Sequence, residues 1–172
     1  MAYAAWRGAN GEAVQPDAFK IRTVTTDFQG SLYSKVLSRN GAKDSIEFYQ
    51  RRDEPAYTVS YNFGREQADS VYMERYLSRK DKYQVFLGGN HPEITIETAV
   101  HNGRRLLLLK DSFANALIPF LVNDFETIHV IDLRYYNGAL STYIAENQIN
   151  EYMVCYNIKN FCEDKNLVKL GR

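Results

Sequence analysis

The four consecutive leucines at residues 106–109 form an apolar run without polar alternation. Such a run is typical of a strand that is buried on both faces, as in the centre of a parallel sheet. The run stops at the polar segment Lys110-Asp111-Ser112, and the Ala, Leu and Phe positions of 113–122 then follow a helical pattern. The pattern predicts a buried strand, a polar turn and a helix that Pro119 should kink or shorten.

The second half of the chain continues this alternation of strands and helices. Strands are predicted at 104–110, 127–133 and 152–156, and helices at 113–122, 140–146 and 158–164. Short connections between elements in the order β-α-β-α-β-α predict a parallel, doubly wound sheet. The pattern therefore indicates the α/β class.

One antiparallel feature is predicted beside these parallel strands. Residues 93–100 alternate apolar and polar side chains as a half-buried strand does. Asn102-Gly103 follows, and this dipeptide is the signature of a two-residue hairpin turn. We therefore expect a mainly parallel sheet with one β-hairpin, formed by 93–100 and 104–110.

The first half of the chain is less regular. Its patterns predict a short helix over 2–8, strands at 19–24, 45–49, 57–61 and 83–87, a helix over 69–77, a short helix or ordered loop over 30–37, and a turn at Asn40-Gly41.

Length and charge restrict the function classes. A chain of 172 residues with 45% hydrophobic residues can bury a core, and it fits one domain over 1–172. Its 21 basic and 21 acidic residues balance, so the positive field that nucleic-acid binding requires is not expected. No pattern indicates an oligomeric state.

Cofactor, metal and membrane signals are weak. Cys155 and Cys162 are the two cysteines, and no histidine stands at a metal-binding spacing from them, so neither a disulfide framework nor a metal site is expected. No Gly-rich phosphate loop follows a predicted strand. A flavodoxin-like nucleotide binder is therefore the weakest hypothesis, and we expect no cofactor. No apolar run approaches the length of a membrane span, and no leader segment is expected in this chain.

Ser112 has two interpretations. Serine is a common N-cap, because its oxygen can accept a backbone N–H of the first helical turn. Alternatively, a serine at the carboxyl edge of an α/β sheet stands where ligand sites form, and it could act as a nucleophile. Both remain open from the strand, turn and helix pattern alone.

A family resemblance favours the nucleophile. The segment Lys110-Asp111-Ser112-Phe113 resembles the Gly-Asp-Ser-Phe block of SGNH hydrolases, with Lys in place of Gly. With the segments 85–92, 108–115 and 129–137, the chain resembles the DHHW family of bacterial surface proteins, which is similar to alginate O-acetylation proteins. The resemblance implies an SGNH-like three-layer α/β/α sandwich, an acyl-ester reaction at Ser112 on a polysaccharide, and an extracellular or cell-surface location.

The chain departs from this family in one motif. The Asp-His-His-Trp segment that names the family, and that resembles the acid and base of the related triads, does not occur in the sequence. A serine hydroxyl needs a base within hydrogen-bond reach. We therefore expect an N-terminally truncated domain that is inactive alone.

Asn90 and His91 are the candidate partners of Ser112. Asn90 resembles the asparagine of the Gly-x-Asn block that donates to the oxyanion in SGNH hydrolases, although a turn role is the alternative. Among the three histidines, only His91 is predicted on the same rim as Ser112. It is a weak base candidate, and a loop histidine bonded to backbone is the alternative.

Arg134 and Tyr135 follow a predicted strand at the same edge. A guanidinium and an aromatic ring suit contact with carbohydrate or carboxylate. The alternative is a surface arginine with packed tyrosines. Three functions stay open: an SGNH-like O-acyl esterase or O-acetyltransferase, a non-catalytic glycan-binding or scaffolding domain, and the nucleotide binder described above.

Overall fold

The computed structural model describes residues 2–9, 14–30 and 42–171. Residues 31–37 of one predicted segment and the predicted turn at Asn40-Gly41 lie outside the described residues. The strands are β1 (Phe19–Phe28), β2 (Asp44–Arg51), β3 (Tyr57–Tyr61), β4 (Glu66–Ala68), β5 (Glu93–Thr98), β6 (Arg105–Lys110), β7 (Thr127–Ile131) and β8 (Glu151–Cys155).

The helices are short. They are α1 (Ala2–Ala9), α2 (Ile118–Leu121), α3 (Leu140–Glu146) and α4 (Ile158–Glu163), with 3-10 segments at Pro16–Ala18, Glu74–Ser78, Lys82–Val85, Ser112–Ala116 and Lys165–Gly171. The predicted order of strands and helices in the second half is confirmed. Within the described ranges, no helix is long and apolar enough to cross a membrane.

Six strands form one mixed sheet in the order β4-β3-β5-β7-β6-β8. The β6 strand pairs in parallel with β7 and with β8, whereas the β5–β7, β3–β5 and β3–β4 pairs are antiparallel. The prediction of a mainly parallel sheet is therefore wrong. A separate antiparallel pair, β1 and β2, stands beside this sheet.

The predicted hairpin between β5 and β6 is also wrong, because β7 lies between them. The Asn102-Gly103 turn is made, with Gly103 at φ 70° and Asn102 Oδ1 accepting Arg104 N at 3.0 Å. Two further bonds go to Glu126, just before β7, since Glu126 N donates to Arg104 O at 2.9 Å and Glu126 Oε2 accepts Gly103 N at 3.0 Å. The turn therefore packs against the start of β7, and β6 pairs with β7 rather than with β5.

The prediction of a helix over 69–77 is wrong, and the predicted strand over 83–87 is reduced to one isolated antiparallel bridge between Tyr72 and Phe86. Met73 N donates to Val85 O at 2.7 Å, and Leu87 N donates to Val71 O at 2.9 Å. These long-range bonds use the backbone groups that a helix would satisfy within itself. The two segments therefore pair through this bridge, and each also contains a short 3-10 segment, at Glu74–Ser78 and at Lys82–Val85.

The leucine run is buried on both faces, as predicted. Leu106 and Leu108 pack in the larger apolar cluster, and Leu107 and Leu109 pack in a second cluster on the opposite face. All four are at most 6% exposed. Burying each leucine contributes about 1.5–3 kcal/mol, so β6 is a rigid base for the segment that follows it.

Candidate active site at the carboxyl edge of the parallel strands

The parallel strands bring the candidate residues to one edge of the sheet. The β6 strand ends just before Ser112, and β7 ends just before Asp132 and Arg134. Because β5 runs antiparallel to β7, the segment that precedes β5, which contains Asn90, reaches the same edge. The sheet therefore brings Ser112, Asn90 and Arg134 to one rim.

Asp111, and not Ser112, is the cap of the turn after β6. Its Oδ1 accepts Phe113 N at 2.9 Å, while its Oδ2 accepts Asn157 N at 2.9 Å and Asn160 Nδ2 at 2.7 Å. The cap interpretation of Ser112 is therefore wrong. The expected helix over 113–122 is two short pieces, a 3-10 turn and α2, with Pro119 in the first turn of α2, where a missing N–H costs little.

Ser112 is half-buried at the first position of the 3-10 turn. Within the described part of the chain, its hydroxyl makes no hydrogen bond. The carboxylate of Asp111 takes up the local backbone donor, so Oγ stays available to a substrate. This agrees with the expected solvent access of a nucleophile.

The Asn90 side chain has a defined orientation. Its Oδ1 accepts Lys110 Nζ at 3.3 Å and Asn115 Nδ2 at 3.4 Å, and Asn115 Nδ2 also donates to Gly89 O at 3.2 Å. Two donors on the oxygen fix which end of the amide points inward. The Nδ2 group has no partner among the described residues and can donate to a ligand.

A buried charge network lies behind Asn90. Lys110 and Asp132 are fully buried, with Nζ 3.8 Å from Asp132 Oδ2. Burial lowers the pKa of Lys110 to about 8, against the opposing effect of the Asp132 carboxylate. At neutral pH the ammonium is therefore still mostly protonated and polarises the Asn90 carbonyl.

Arg134 completes this network from the surface. Its Nε and Nη2 donate to the two Asp132 carboxylate oxygens at 2.8 and 2.6 Å, and these bonds raise the pKa of Arg134 above its ordinary value. The guanidinium carbon lies 5.5 Å from the Tyr135 ring centroid, and Tyr135 is 50% exposed. Arg134 also lines a cavity of about 350 Å³ with Asp111, Tyr156 and Asn160.

His91 lies in the Asn90 loop but is held by other groups. Nδ1 lies 3.3 Å from Asn62 Oδ1, and Nε2 lies 3.1 Å from Leu87 O. Burial lowers the pKa of His91, and the ring packs 4.8 Å from the Tyr61 ring. Neither nitrogen bonds to Ser112, so the structure adds no support to its prediction as a base.

Sequence reasoning missed three members of this site. The sequence pattern places Lys110 in a polar segment, although it is fully buried, and it assigns no site role to Asp132 or Asn115. The available signal was a charged residue at the end of each of two apolar strands. Among the described residues, no group of His, Cys, Asp and Glu is arranged to hold a metal ion.

Solved structures of similar fold match nearly all of this chain. A DHHW family protein from Eubacterium siraeum matches with a TM-score of 0.82 and 23% identity over 99% of this chain and 58% of the other. Bacillus cereus PatB1 carrying a sulfonyl adduct matches with a TM-score of 0.75 and 21% identity over 95% of this chain and 57% of PatB1. A second PatB1 structure matches with a TM-score of 0.71 and 24% identity, with 95% and 58% coverage.

These comparisons identify a family and a shared fold. The chain spans less than two thirds of the length of each of these structures. No curated protein matches the chain in sequence. The family profile described as DHHW protein matches residues 1–131, which is most of the chain. The chain therefore belongs to the DHHW protein family.

Proposed function

We propose that this chain carries the nucleophile and the oxyanion donor of an SGNH-like serine O-acyl esterase or O-acetyltransferase. The substrate class is a bacterial cell-envelope or extracellular polysaccharide, and the site of action is the cell surface or the extracellular space. An SGNH-type three-layer α/β/α sandwich belongs to the same proposal. The observation that carries it is an unpartnered Ser112 hydroxyl on the same rim as the outward-facing amide of Asn90.

The chemistry follows from these two groups. Ser112 Oγ attacks the carbonyl carbon of an acyl ester while a base accepts its proton, and Asn90 Nδ2 donates to the oxyanion that forms. The intermediate collapses to acyl-Ser112 as the protonated base returns the proton to the departing sugar oxygen. Water then releases the acid in an esterase, or a sugar hydroxyl accepts the acyl group in a transferase.

Among the described residues, no basic side chain forms a hydrogen bond with the Ser112 hydroxyl. His91 is held by Asn62 and Leu87, and Lys110 donates its protons toward Asn90 and Asp132. We therefore propose that the base comes from an Asp-His-His-Trp segment of a longer protein, as the family resemblance implies. General-base help typically contributes about a hundred-fold to ten-thousand-fold, so the isolated chain should be close to inactive.

The sulfonyl adduct of the PatB1 structure supports the choice of a covalent mechanism. A sulfonyl group becomes attached to a protein when a nucleophilic side chain displaces a leaving group from sulfur. A sulfonyl fluoride can therefore identify the nucleophile of this chain.

The test is hydrolysis of p-nitrophenyl acetate by the 172-residue chain, by a version extended upstream through an Asp-His-His-Trp segment, and by Ser112→Ala in each. We expect Ser112-dependent turnover in the extended protein alone. Ser112-dependent turnover by the short chain would show that a base is present within it. Inertness of the extended protein would contradict the catalytic proposal.

A non-catalytic glycan-binding or scaffolding domain is the second candidate. The observation in its favour is the lack of a base on Ser112 among the described residues. Arg134 and the half-exposed Tyr135 could then contact sugar and carboxylate groups. Saturable binding of an uronate oligosaccharide by the extended protein, unchanged in Ser112→Ala and without deacylation of its acetylated form, would favour this candidate.

A further inference from the structure

The six-stranded sheet has a free edge beside the strand that leads to Ser112. In the strand order, β8 pairs with β6 on one side and is the last strand on the other. Alternate backbone N–H and C=O groups of residues 151–155 therefore have no strand partner within the described ranges. A row of such groups is a template for pairing with a further strand.

The opposite edge of the sheet is built differently. There β4 spans three residues, and its Glu66 and Gln67 are exposed. A short strand that carries a charge is a common protection of an edge against pairing. In β8 the one charged residue, Glu151, is at the start of the strand and is bonded to Arg104. The remainder of the β8 edge is therefore unprotected.

The apolar face of the sheet continues into β8 but is uncovered there. In the parallel register, Tyr152 lies beside Leu107 and Val154 lies beside Leu109. The two leucines are at most 6% exposed, whereas Tyr152 is 60% and Val154 is 52% exposed. Ile158, the first residue of α4, is 75% exposed. A continuous exposed apolar surface of this kind marks an interaction site.

The β8 edge is also the free edge of this sheet that is nearer to Ser112. Because β8 runs parallel to β6, its carboxyl end lies at the rim that carries Ser112. Neighbouring strands lie about 4.8 Å apart, so a strand added beside β8 would lie about 10 Å from β6, and one added beside β4 about 24 Å. Side chains in the loops at the strand ends can bridge the shorter distance but not the longer one.

The similar structures extend beyond the region that matches this chain. The chain covers 58%, 57% and 58% of their lengths, so a large part of each lies outside the shared fold. Among the described residues, none donates to or accepts from the Ser112 hydroxyl. A segment outside this chain that supplies the base must therefore come close to the carboxyl end of β6.

We propose that the β8 edge is the docking surface for the upstream Asp-His-His-Trp segment. This segment adds a strand beside β8, bonds to the free backbone groups of β8, and covers Tyr152 and Val154 with its own apolar side chains. The added strand brings the base to the rim of Ser112. The identity of the docked segment rests on the proposed function, whereas the pairing itself requires no catalysis.

The test is hydrogen exchange, read by mass spectrometry, in the 172-residue chain and in the version extended upstream through an Asp-His-His-Trp segment. Residues 151–155 should exchange at least about ten-fold more slowly in the extended protein, because added backbone bonds oppose local opening. The peptide that contains β4 should exchange alike in both proteins. The peptide that contains β6 should be protected in both, which shows that the shorter chain is folded.

A substitution at the edge separates docking from folding. Val154→Asp in the extended protein should speed the exchange of residues 151–155 and slow the labelling of Ser112 by phenylmethylsulfonyl fluoride, each at least about ten-fold, because docking would bury an unpaired carboxylate. In the 172-residue chain the same change should leave β6 protected, since Val154 is half-exposed. Ile21→Asp, at a 49% exposed position of β1, is the matched control and should change neither rate.

Several results would overturn the docking surface. Equal exchange of residues 151–155 in the two proteins, or protection of β4 instead of β8, would do so. Protection of β8 that rises with the concentration of the 172-residue chain would assign the edge to a second copy. If the shorter chain does not protect β6, equal exchange in the extended Val154→Asp and Ile21→Asp variants would overturn it.

The outcomes for docking and for catalysis are distinguishable. Protection of β8 without labelling of Ser112 in the extended protein would support the docking surface and contradict the proposed function. Labelling of Ser112 while β8 exchanges freely would support the proposed function and overturn the docking surface.

Discussion

At the scale of single residues, Asn90 is oriented by donors that contact only its oxygen. Lys110 and Asn115 hold Oδ1, so the amide presents N–H groups outward at the rim that carries Ser112. A donor oriented before the reaction is what stabilisation of an oxyanion requires. Lys110, which departs from the glycine of the SGNH block, therefore has a positioning role that a glycine could not supply.

The first prediction at this scale concerns Asn90. Asn90→Ala in the extended protein should lower kcat for p-nitrophenyl acetate by about a hundred-fold to a thousand-fold, because one oxyanion donor is lost. Asn137→Ala, an exposed asparagine after β7, is the control and should leave kcat unchanged. Equal rates in the two variants would remove Asn90 from the mechanism.

The second prediction concerns Lys110 and pH. Burial lowers the Lys110 pKa from 10.5 to about 8, so the unfolded chain binds this proton more tightly than the folded chain between these values. Its contribution to the free energy of unfolding should therefore rise as the pH increases from 8 to 10. Urea unfolding at both pH values should show a rise, relative to Lys110→Met, in the parent protein.

Lys110→Met is a suitable reference because Asp132 keeps its two bonds to Arg134. The other titrating groups, including the tyrosines, are common to both proteins and cancel in the comparison. An identical pH dependence in the parent and in Lys110→Met would show that the Lys110 pKa is not lowered in the folded state.

At the scale of elements, Asp111 connects β6 to the segment after β8. One carboxylate binds Phe113 N in its own turn and Asn157 N and Asn160 Nδ2 across the sheet edge. Asp111, the first residue after β6, is therefore held by the segment after β8 and by α4 as well as by its own turn. Because Ser112 is the next residue, the bonds of Asp111 also fix its position.

Asp111→Asn should lower the free energy of unfolding by about 1–3 kcal/mol. Its amide NH2 would face two donors where Oδ2 now accepts, which leaves buried donors unpaired. Asp17→Asn, at an exposed aspartate, should change stability by less than about 0.5 kcal/mol. Urea unfolding of both variants measures the difference, and equal stability would show that the Asp111 connection contributes little.

The glycines before Asn90 shape its loop. Gly88 has φ 73°, and a Cβ there would lie 2.7 Å from Met73 Sδ. Gly64 has φ 79°, but a Cβ there would meet nothing within 4 Å. Gly64→Ala is therefore a control for backbone strain alone, which costs about 1–2 kcal/mol.

Gly88→Ala should cost more stability than Gly64→Ala, and it alone should lower Ser112-dependent turnover in the extended protein. The added methyl group must displace Met73 or the loop that carries Asn90. Thermal unfolding and p-nitrophenyl acetate kinetics on both variants test this. Equal losses of activity in the two would contradict a role for the Gly88 conformation in placing Asn90.

The success of sequence reasoning differed between elements for physical reasons. The β6 strand was predictable because four consecutive apolar residues have few alternatives to burial on both faces. The Asn102-Gly103 turn was also predictable, but local turn chemistry does not specify which strand becomes the neighbour, and β7 took that place. Residues 69–77 were mispredicted because their backbone bonds go to a segment more than ten residues away.

The site was predictable to a similar extent. The rule that parallel strands place ligand sites at their carboxyl edge was enough to bring Ser112 and Arg134 to one rim. Asn90 reaches the same rim for a different reason, because it precedes β5, which runs antiparallel to β7. The burial of Lys110 against Asp132 depends on three strands and a loop, so the charged residues that end two apolar strands did not by themselves indicate it. The hydrogen bonds that occupy His91 likewise come from distant residues.

At the scale of the whole molecule, the chain matches slightly more than half of each similar structure. It supplies a rim with an unpartnered serine hydroxyl and an oriented amide, while the described residues supply no base to that serine. The proposed chemistry is therefore divided between this chain and an Asp-His-His-Trp segment, and it depends first on Ser112 as the nucleophile.

The most direct test is modification of the extended protein by phenylmethylsulfonyl fluoride, read by intact mass and peptide mapping. We expect a single adduct on Ser112, no adduct in Ser112→Ala, and much slower labelling of the 172-residue chain. A covalent adduct at another residue, or no adduct in the extended protein under conditions that label a serine esterase, would contradict Ser112 as the nucleophile.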